Sequence, residues 1–379
     1  MERNERFETK LRLLLNLISN GYLKDKRLFK AFLEVKLEDF IPRVYQSQAR
    51  IYEDIPSLFY YDRKNPENLR TISAPHMISI MLQGLVLEKD DELLILGAKS
   101  GYIAALAHRL SPEGNIVILE ANSKIAKITE KNLKKQGYKN IEVIVKNPLD
   151  GLVERSPWQK ILVTGAIKQE RIYPLLKQLN PNAGVLFAPI GEDYIQTYTQ
   201  ILRINDNFYG KKQLQVRFTP LITDIELDEL ELITDFDEIE LCEESSGSDS
   251  TTKGTEHLKC KNISIKYASE ILDTIELEPF NKFDSLKIDL NDVAIVFLEN
   301  IYNTIDQIKI EENLADGLNA IDNIESQINV LKKFNKDLKI NIGQIQETLN
   351  QISFQNKQMK ELDNLGEIIK KEIKKIKKP

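Results

Sequence analysis

Apolar residues near the start of the chain recur at helical spacing. They run from Leu11 to Ile18, and the turn-forming pair Asn20-Gly21 follows. This pattern predicts an amphipathic helix that ends before the glycine. A second apolar face predicts another helix, which begins near Lys26 and ends before Pro42.

Between residues 93 and 189 short apolar runs alternate with amphipathic stretches. The runs predict five buried strands: Leu93–Leu96, Asn115–Leu119, Ile141–Val145, Lys160–Thr164 and Gly184–Pro189. Strands that alternate with helices form a mostly parallel sheet covered on both faces. Thr197–Ile204 and Leu214–Leu221 then predict an antiparallel pair, with Asn207 and Gly210 as turn residues. The predicted fold class is α/β with a Rossmann-like core.

The composition changes after residue 222. Residues 224–254 are acidic and then rich in Ser, Gly and Thr, which is typical of a linker. We therefore predict an α/β domain at 1–222, an acidic, partly disordered linker at 223–260, and a helical region at 261–379. Within the first domain, N-terminal helices and a loop occupy 1–75 and the Rossmann-like core occupies 76–222.

The helical region carries a heptad repeat. With Ile321 at position a, ten of the twelve a and d positions are apolar, and the exceptions are Asn335 and Asn356, both at a. This pattern predicts a long helix with a coiled coil over residues 314–362, which would make the protein an oligomer. The same face could instead pack on Val293–Ile308 of its own chain as an antiparallel hairpin.

Charge and composition narrow the partners and the compartment. The net charge of −6 argues against nucleic-acid binding along the whole chain. The basic tail at 370–378 either complements the end of its own helix or contacts nucleic acid or an acidic partner. No apolar run approaches the roughly 20 residues that span a bilayer. We therefore expect a cytoplasmic chain. Cys242 and Cys260 lack further ligands at metal-site spacing, so we expect no bound metal.

Ligands of α/β folds bind beyond the carboxyl ends of the strands. The first such loop, Gly97–Tyr102, contains two glycines, which let the main chain approach a ligand closely. Glu120 ends the second strand, where a carboxylate can accept hydrogen bonds from a ribose. These features indicate a cleft for a nucleoside, but a turn of this kind occurs in many α/β proteins.

A more specific pattern lies upstream of the sheet. Thr71-Ile72-Ser73-Ala74-Pro75-His76-Met77 follows Tyr52-Glu53-Asp54-Ile55-Pro56, and collinear segments extend to Val216-Arg217-Phe218-Thr219-Pro220-Leu221. Over residues 7–222 this arrangement closely resembles the protein L-isoaspartate (D-aspartate) O-methyltransferase family. The resemblance implies a Rossmann-like class I methyltransferase, which uses S-adenosylmethionine to methylate the side carboxylate of isoaspartyl residues in damaged proteins.

The resemblance also implies the residues of the site. Ser73 would hydrogen-bond the substrate carboxylate and is the expected catalytic residue. The substrate would also contact Thr71, Ile72, Ala74, Pro75 and His76. The cofactor would contact Gly97, Ser100, Gly101, Tyr102, Glu120 and Asn147. A carboxylate is already ionised near neutral pH, so positioning rather than a general base supplies the rate.

Several positions depart from the pattern of that family. Ile95 stands where an acidic residue is expected, and it cannot accept a hydrogen bond from the methionine end of the cofactor. Lys99 replaces the middle glycine and adds a cation near a ligand that is positively charged at sulfur. Lys146-Asn147-Pro148 replaces a Gly-Asp-Gly motif, which weakens a further contact. Glu120 is retained.

Two functions follow from these observations. The resemblance implies an S-adenosylmethionine-dependent protein carboxyl methyltransferase of the isoaspartate-repair type, and the departures imply weakened cofactor binding. Alternatively, the chain is a catalytically inactive methyltransferase-fold protein that binds partners and oligomerises through its C-terminal coiled coil. The intact loop around Ser73 favours the first function, and Ile95 and Lys99 favour the second.

Overall fold

The structure is a computed structural model. It describes residues 2–64, 69–192, 194–223, 226, 256–260, 263–267, 287–310, 314–332, 338, 340–350 and 359–377. The predicted acidic linker falls mostly on residues 227–255, which include Cys242 and lie outside these ranges. The chain divides into two compact units, one of Lys30–Ser285 and one of Met1–Phe29 with Leu286–Pro379. The domain limits derived from the sequence stay predictions.

The helices and strands of the described residues have the following limits. The helices are α1 (Glu2–Ser19), α2 (Lys26–Glu34), α3 (Arg43–Gln46), α4 (Pro75–Leu85), α5 (Tyr102–Leu110), α6 (Ser123–Lys135), α7 (Tyr173–Lys177), α8 (Leu290–Ile310), α9 (Leu314–Lys332), α10 (Ile342–Asn350) and α11 (Met359–Lys377). The strands are β1 (Ser57–Tyr61), β2 (Leu69–Ile72), β3 (Leu93–Leu96), β4 (Ile116–Glu120), β5 (Ile141–Val145), β6 (Lys160–Val163), β7 (Asn182–Glu192), β8 (Ile195–Ile204), β9 (Asn207–Val216), β10 (Glu256–Cys260) and β11 (Ile263–Tyr267). None of these helices combines the length and the apolar composition that a membrane crossing needs.

One large sheet dominates the unit Lys30–Ser285. Among the described residues its order is β10-β11-β9-β8-β7-β6-β3-β4-β5. β3 to β7 are parallel to their neighbours within that group, as predicted, while β7, β8 and β9 form antiparallel pairs in succession. β3, β4 and β6 are buried on both faces, which explains their continuous apolar runs. The Rossmann-like α/β fold with a mostly parallel sheet is confirmed.

The strand order reverses at β3. Its neighbours are β4 on one side and β6 on the other. The connections that follow β3 and β6 therefore leave in opposite directions, and a crevice forms at the carboxyl ends of the central strands. The candidate site lies there.

The last strand that the sequence analysis predicted was wrong in its limits. β9 begins and ends earlier than Leu214–Leu221, and Asn207 and Gly210, expected in the turn, lie inside it. The turn is at Asn205, which has a φ of +52°. Gly210 meets a different requirement, because a Cβ there would lie 2.4 Å from Cε1 of Tyr267 in β11. A close approach between strands, and not a turn, accounts for this glycine.

The sheet continues beyond the limit predicted for the α/β domain. β10 and β11 form an antiparallel hairpin from residues assigned to the end of the linker and the start of the helical region. β11 pairs in parallel with β9, with Ile265 opposite Phe208. Ile265 is fully buried in the core of this unit. Residues 263–267, which the sequence analysis placed in the helical region, are therefore strand.

The second unit is helical. α1 ends at Ser19 and Gly21 follows with a φ of +74°, as the sequence predicted. α8 contacts α9 and α11, α9 contacts α1 and α10, and α10 contacts α11. The apolar faces of these helices are therefore buried within one chain.

The long helix predicted over residues 314–362 is interrupted. α9 ends at Lys332, α10 begins at Ile342, and Ile340 and Asn341 between them are not helical. Six heptad residues are buried within the chain: Ile324, Ile328, Leu331, Ile342, Ile345 and Leu349. This is packing of the intramolecular kind that the sequence left open. Coiled-coil pairing between chains stays a prediction, and its positions Asn335, Ile352 and Asn356 lie outside the described residues.

Candidate functional site

The loop after β3 is built around Gly97. This residue has a φ of +90°, and a Cβ there would lie 2.4 Å from Thr164 Oγ1. The Thr164 hydroxyl lies within hydrogen-bond distance of the carbonyl oxygens of Leu96 (2.9 Å) and Gly97 (3.1 Å), to which it can donate. These contacts tie the loop to the end of β6. Only glycine fits this position, and its main chain borders the crevice.

The next residues of the loop are held in a left-handed conformation. Lys99, Ser100 and Gly101 have φ values of +41°, +63° and +87°. For a residue other than glycine this conformation costs roughly 1–2 kcal/mol. The Ser100 hydroxyl donates to the Phe40 carbonyl, and Asn132 Nδ2 donates to Ser100 Oγ at 2.9 Å. These bonds hold the loop in its strained shape, so the Ser100 side chain has a structural role.

Glu120 joins the tips of β3 and β4. Its side chain is buried, and its carboxylate accepts hydrogen bonds from the backbone N–H groups of Ala98 (2.9 Å) and Asn122 (3.0 Å). Burial raises the pKa of this carboxyl above its ordinary value, although the two hydrogen bonds act in the opposite direction. Glu120 lies where the sequence placed it, at the carboxyl end of the second strand of the parallel core.

Two cationic side chains face the same cavity, Lys99 and Arg70. Lys99 is half-buried, and desolvation lowers the pKa of its ammonium to about 8. The positive charge of Arg70 lowers this pKa further, and the carboxylate of Glu120 raises it. The cavity is therefore more positive than a family-like glycine loop would make it.

Arg70, which lines the cavity, belongs to a buried ion pair. Arg70 Nη2 donates to Glu226 Oε1 at 2.6 Å, and the two side chains are only 11% and 2% exposed. Asn122 Nδ2 also donates to Glu226 Oε1 at 3.4 Å, and the Thr223 N–H donates to Oε2 at 3.0 Å. Arg70 is in β2, which leads to the Ser73 loop, whereas Glu226 follows the end of β9 by ten residues. The pair thus links two distant segments of one unit.

These side chains leave little room. The cavity at the ends of β3, β4 and β6 has about 20 Å³ of free space. That is enough for about one water molecule, whereas ligand pockets commonly measure roughly 300–1,000 Å³. Its walls are formed by Phe59, Arg70, Gly97–Lys99, Glu120, Ile125, Thr164-Gly165 and Thr219–Leu221. The free space in this conformation is therefore smaller than a nucleoside.

The predicted substrate loop lies between β2 and α4. Thr71 and Ile72 are in β2, Ala74 precedes α4, and Pro75 is its first residue. Asp54 Oδ1 accepts a hydrogen bond from the His76 N–H at 2.9 Å and lies 2.8 Å from His76 Nδ1, which fixes the start of this helix.

Ser73 is the expected catalytic residue of that loop, and it is buried. Its Oγ has no hydrogen-bond partner among the residues that the structure describes. A buried hydroxyl without a partner is unfavourable. Ser73 is not among the residues that line the cavity of Gly97 and Glu120, so its catalytic role stays a prediction.

The structure brings only part of the predicted cofactor site together. Gly97 and Glu120 line the cavity, and Ser100, Gly101, Tyr102 and Asn147 do not. Tyr102 packs on the Phe40 ring with centroids 5.5 Å apart. Asn147 Oδ1 accepts a hydrogen bond from the Leu149 N–H at 3.0 Å and so stabilises its own turn.

Among the residues that sequence reasoning missed are Thr164 and Arg70, which line the cavity, and Glu226, which pairs with Arg70. Thr164 lies in a segment collinear with the family, at the end of a predicted strand, so it was open to prediction. Nothing in the sequence pointed to the pairing of Arg70 with Glu226, which are 156 positions apart.

The strand order, the glycine loop and the carboxylate at the tip of β4 define a Rossmann-like domain of the methyltransferase class. A family model described as "Protein-L-isoaspartate(D-aspartate) O-methyltransferase (PCMT)" matches residues 8–226. The chain belongs to this family. The match ends at Glu226, so the helices of the C-terminal region are an addition to it.

Named relatives agree with this assignment. A protein-L-isoaspartate O-methyltransferase of Ignicoccus hospitalis is 35% identical over 217 residues, which are 57% of this chain and 98% of that protein. One of Methanococcus vannielii is 35% identical over 211 residues, covering 55% of this chain and 95% of that protein. A solved structure of a protein-L-isoaspartate O-methyltransferase aligns with a TM-score of 0.50 and 26% identity. That alignment covers 56% of this chain and 65% of the other.

Proposed function

We propose that this chain is an S-adenosylmethionine-dependent protein carboxyl methyltransferase that acts on isoaspartyl residues and binds its cofactor weakly. The observation that carries the proposal is the shared cavity of Gly97 and Glu120 at the carboxyl ends of β3 and β4. The main chain of Gly97 and the carboxylate of Glu120 suit the sugar of a nucleoside. Family membership supplies the reaction class.

The residues fit the ribose of the cofactor better than its other parts. Ile95 is an apolar residue buried in β3 and offers no acceptor to the methionine end. Asn147 is engaged in its own turn. Lys99 adds positive charge to the cavity that the cofactor sulfonium would approach. Ile95 and Lys99 thus weaken binding of the amino-acid end, and Asn147 weakens the contact expected with the adenine. Gly97 and Glu120 remain for the ribose.

The cofactor, when bound, supplies a methyl group on a positively charged sulfur. The chain's own residues then have two tasks. Ser73 Oγ donates a hydrogen bond to the substrate carboxylate and so orients it, which is a use for an otherwise unpaired buried hydroxyl. The His76–Asp54 contact holds the loop that carries Ser73. No residue has to remove a proton, because an isoaspartyl carboxylate is ionised near neutral pH.

A calorimetric titration with S-adenosylhomocysteine tests the cofactor assignment. We expect weak binding by the unmodified chain. The variant Lys99→Gly with Ile95→Asp restores two positions to the pattern of the family and is expected to bind at least tenfold more tightly. The same pair of proteins titrated with adenosine serves as a control, because adenosine lacks the amino-acid part that Asp would contact.

Methyl transfer to an isoaspartyl peptide tests the role of Ser73. We expect Ser73→Ala to lower kcat/KM by about tenfold to a hundredfold, since one hydrogen bond to a charged group contributes roughly 1.5–3 kcal/mol. Thermal unfolding should be nearly unchanged, because the hydroxyl has no partner in the described part of the fold. The matched aspartyl peptide should remain unmethylated by both proteins. Equal rates for Ser73→Ala and the unmodified chain would exclude this role.

A second candidate is an inactive methyltransferase-fold protein that binds partners, with oligomerisation through the heptad face of its C-terminal helices. The small free volume beside Lys99 and the Arg70–Glu226 pair favours it. Absence of binding at millimolar S-adenosylhomocysteine, both by the unmodified chain and by the Lys99→Gly/Ile95→Asp variant, would select this candidate over the enzyme.

A further inference from the structure

The positive charge of Arg70 is unexpected in a cleft that is proposed to bind a cationic ligand. Its guanidinium is 11% exposed and lines the cavity beside Lys99 and Glu120. A guanidinium matches a carboxylate in shape and charge, and it remains charged at all relevant pH values. The cavity therefore contains a permanent receptor for an anion.

In the structure, the carboxylate of Glu226 is the anion bound to Arg70. This carboxylate accepts hydrogen bonds from Arg70 in β2 (2.6 Å) and from Asn122 (3.4 Å), which immediately precedes α6 of the same unit. A third bond, from the Thr223 N–H, is local to the segment that carries Glu226 and would move with it. Arg70 and Asn122 would then remain in place as a carboxylate-binding pair, with the Lys99 ammonium nearby.

The energetics require a replacement anion. Removing one partner of a buried ion pair leaves an uncompensated charge, which is strongly unfavourable. Dissociation of Glu226 from Arg70 is therefore much more favourable when another anion takes its place. An anionic ligand gains most from this exchange, and an uncharged ligand of the same size gains nothing.

We infer that Arg70 and Asn122 form a carboxylate-binding site for the ligands of this cleft, and that Glu226 of the same chain occupies it as an internal competitor. The inference rests on the proposed function for the identity of the ligands. Two carboxylates could be received: that of the amino-acid part of the cofactor, and that of the isoaspartyl residue.

The binding site itself is tested without either ligand. Glu226→Gln in the full-length chain keeps the side-chain shape and removes the competing charge. We expect its Tm in sodium chloride to lie below that of the unmodified chain, and sodium acetate of equal ionic strength and pH to raise it. The unmodified chain and the variant Glu142→Gln, which breaks the exposed Arg155–Glu142 pair, should each have the same Tm in both salts.

A double variant keeps the test decisive if Glu226→Gln unfolds. Arg70→Gln with Glu226→Gln removes both charges, so it should be more stable in chloride than Glu226→Gln alone and should not respond to acetate. If the single variant is unfolded in chloride, acetate should restore its circular-dichroism spectrum. An equal response to acetate in the single and double variants would overturn the inference, as would no response in either.

Calorimetry then separates the two sources of carboxylate. S-Adenosylhomocysteine and 5′-methylthioadenosine share the nucleoside, but only the first has a carboxylate. A Glu226→Gln variant that binds the first at least tenfold more tightly than the unmodified chain does, with the second unchanged, assigns the site to the cofactor. A gain confined to an isoaspartyl peptide over its carboxamide assigns it to the substrate. An equal gain for 5′-methylthioadenosine would show that Glu226 merely obstructs entry, which would overturn the inference.

The two proposals can fail separately. If neither nucleoside binds to any variant but acetate still stabilises Glu226→Gln alone, the proposed function fails and the carboxylate-binding site stands. If both nucleosides bind and acetate has no selective effect, the proposed function stands and the carboxylate-binding site fails.

Discussion

Lys99 gives the sharpest quantitative prediction for this protein. Its ammonium is half-buried beside Arg70, and burial lowers its pKa from 10.5 to about 8. Lys99→Met removes the charge and keeps a straight, apolar side chain of similar length. Lys and Met have the same backbone strain at a φ of +41°, so the difference in stability between the two proteins reflects the charge of Lys99.

The direction of the pH dependence follows from how tightly Lys99 binds its proton in the folded and the unfolded chain. The folded-state pKa lies below the unfolded one, so between about pH 8 and 10.5 the unfolded chain holds the proton more tightly. The Lys99 contribution to stability therefore rises with pH across this window. The full pKa difference corresponds to about 3 kcal/mol. Because water reaches part of the side chain and screens its charge, we expect about 1–2 kcal/mol between roughly pH 7 and pH 9.5.

Urea denaturation of both proteins at the two pH values provides the measurement. Lys99→Met should be more stable than the unmodified chain by about 1–2 kcal/mol near pH 7, and most of this advantage should disappear near pH 9.5. Other groups that titrate in this range are common to both proteins and cancel in the difference. A stability difference independent of pH would refute the reasoning, since it would mean that the Lys99 ammonium is as well solvated in the fold as in the unfolded chain.

Two further predictions concern the loop after β3 and the helical unit. Gly97→Ala should cost roughly 1–3 kcal/mol more in urea denaturation than Gly137→Ala, because both glycines have positive φ but only the Cβ at Gly97 meets an atom, Thr164 Oγ1 at 2.4 Å; equal costs would contradict the close approach. Light scattering on the full-length chain should give the mass of one chain, because Ile324 and Ile328 are buried within it; the mass of two chains would favour the second candidate function.

The strands of the parallel core were predictable because the burial of each strand determines its own pattern of apolar residues. A strand buried on both faces has an unbroken apolar run, as Leu93–Leu96 does, and the intervening helices are evident from their period. Gly210 shows where this reasoning ends. Its strand accepts a tyrosine ring from Tyr267, so the reason for the glycine lies 57 positions further along the chain, beyond a segment that resembled a linker.

The candidate site was predictable only in part, for a related physical reason. Glu120 was found because a strand tip is a local feature, and the loop of Ser73 was found because a run of seven residues is specific. Ser100 lies within the glycine loop but bonds to Phe40 and Asn132, which no local pattern indicates. The Arg70–Glu226 pair depends on a contact between remote segments, and its carboxylate lies at the edge of the family match.

β11 has a consequence for how this family domain can be isolated. A protein cut after residue 226 would retain every residue that the family model matches, yet it would lose the strand that covers β9. The row of N–H and C=O groups along Phe208–Gly210 would then be open to a strand from another molecule. Self-association of such a fragment would originate in this uncovered border, and it would say nothing about how whole molecules associate.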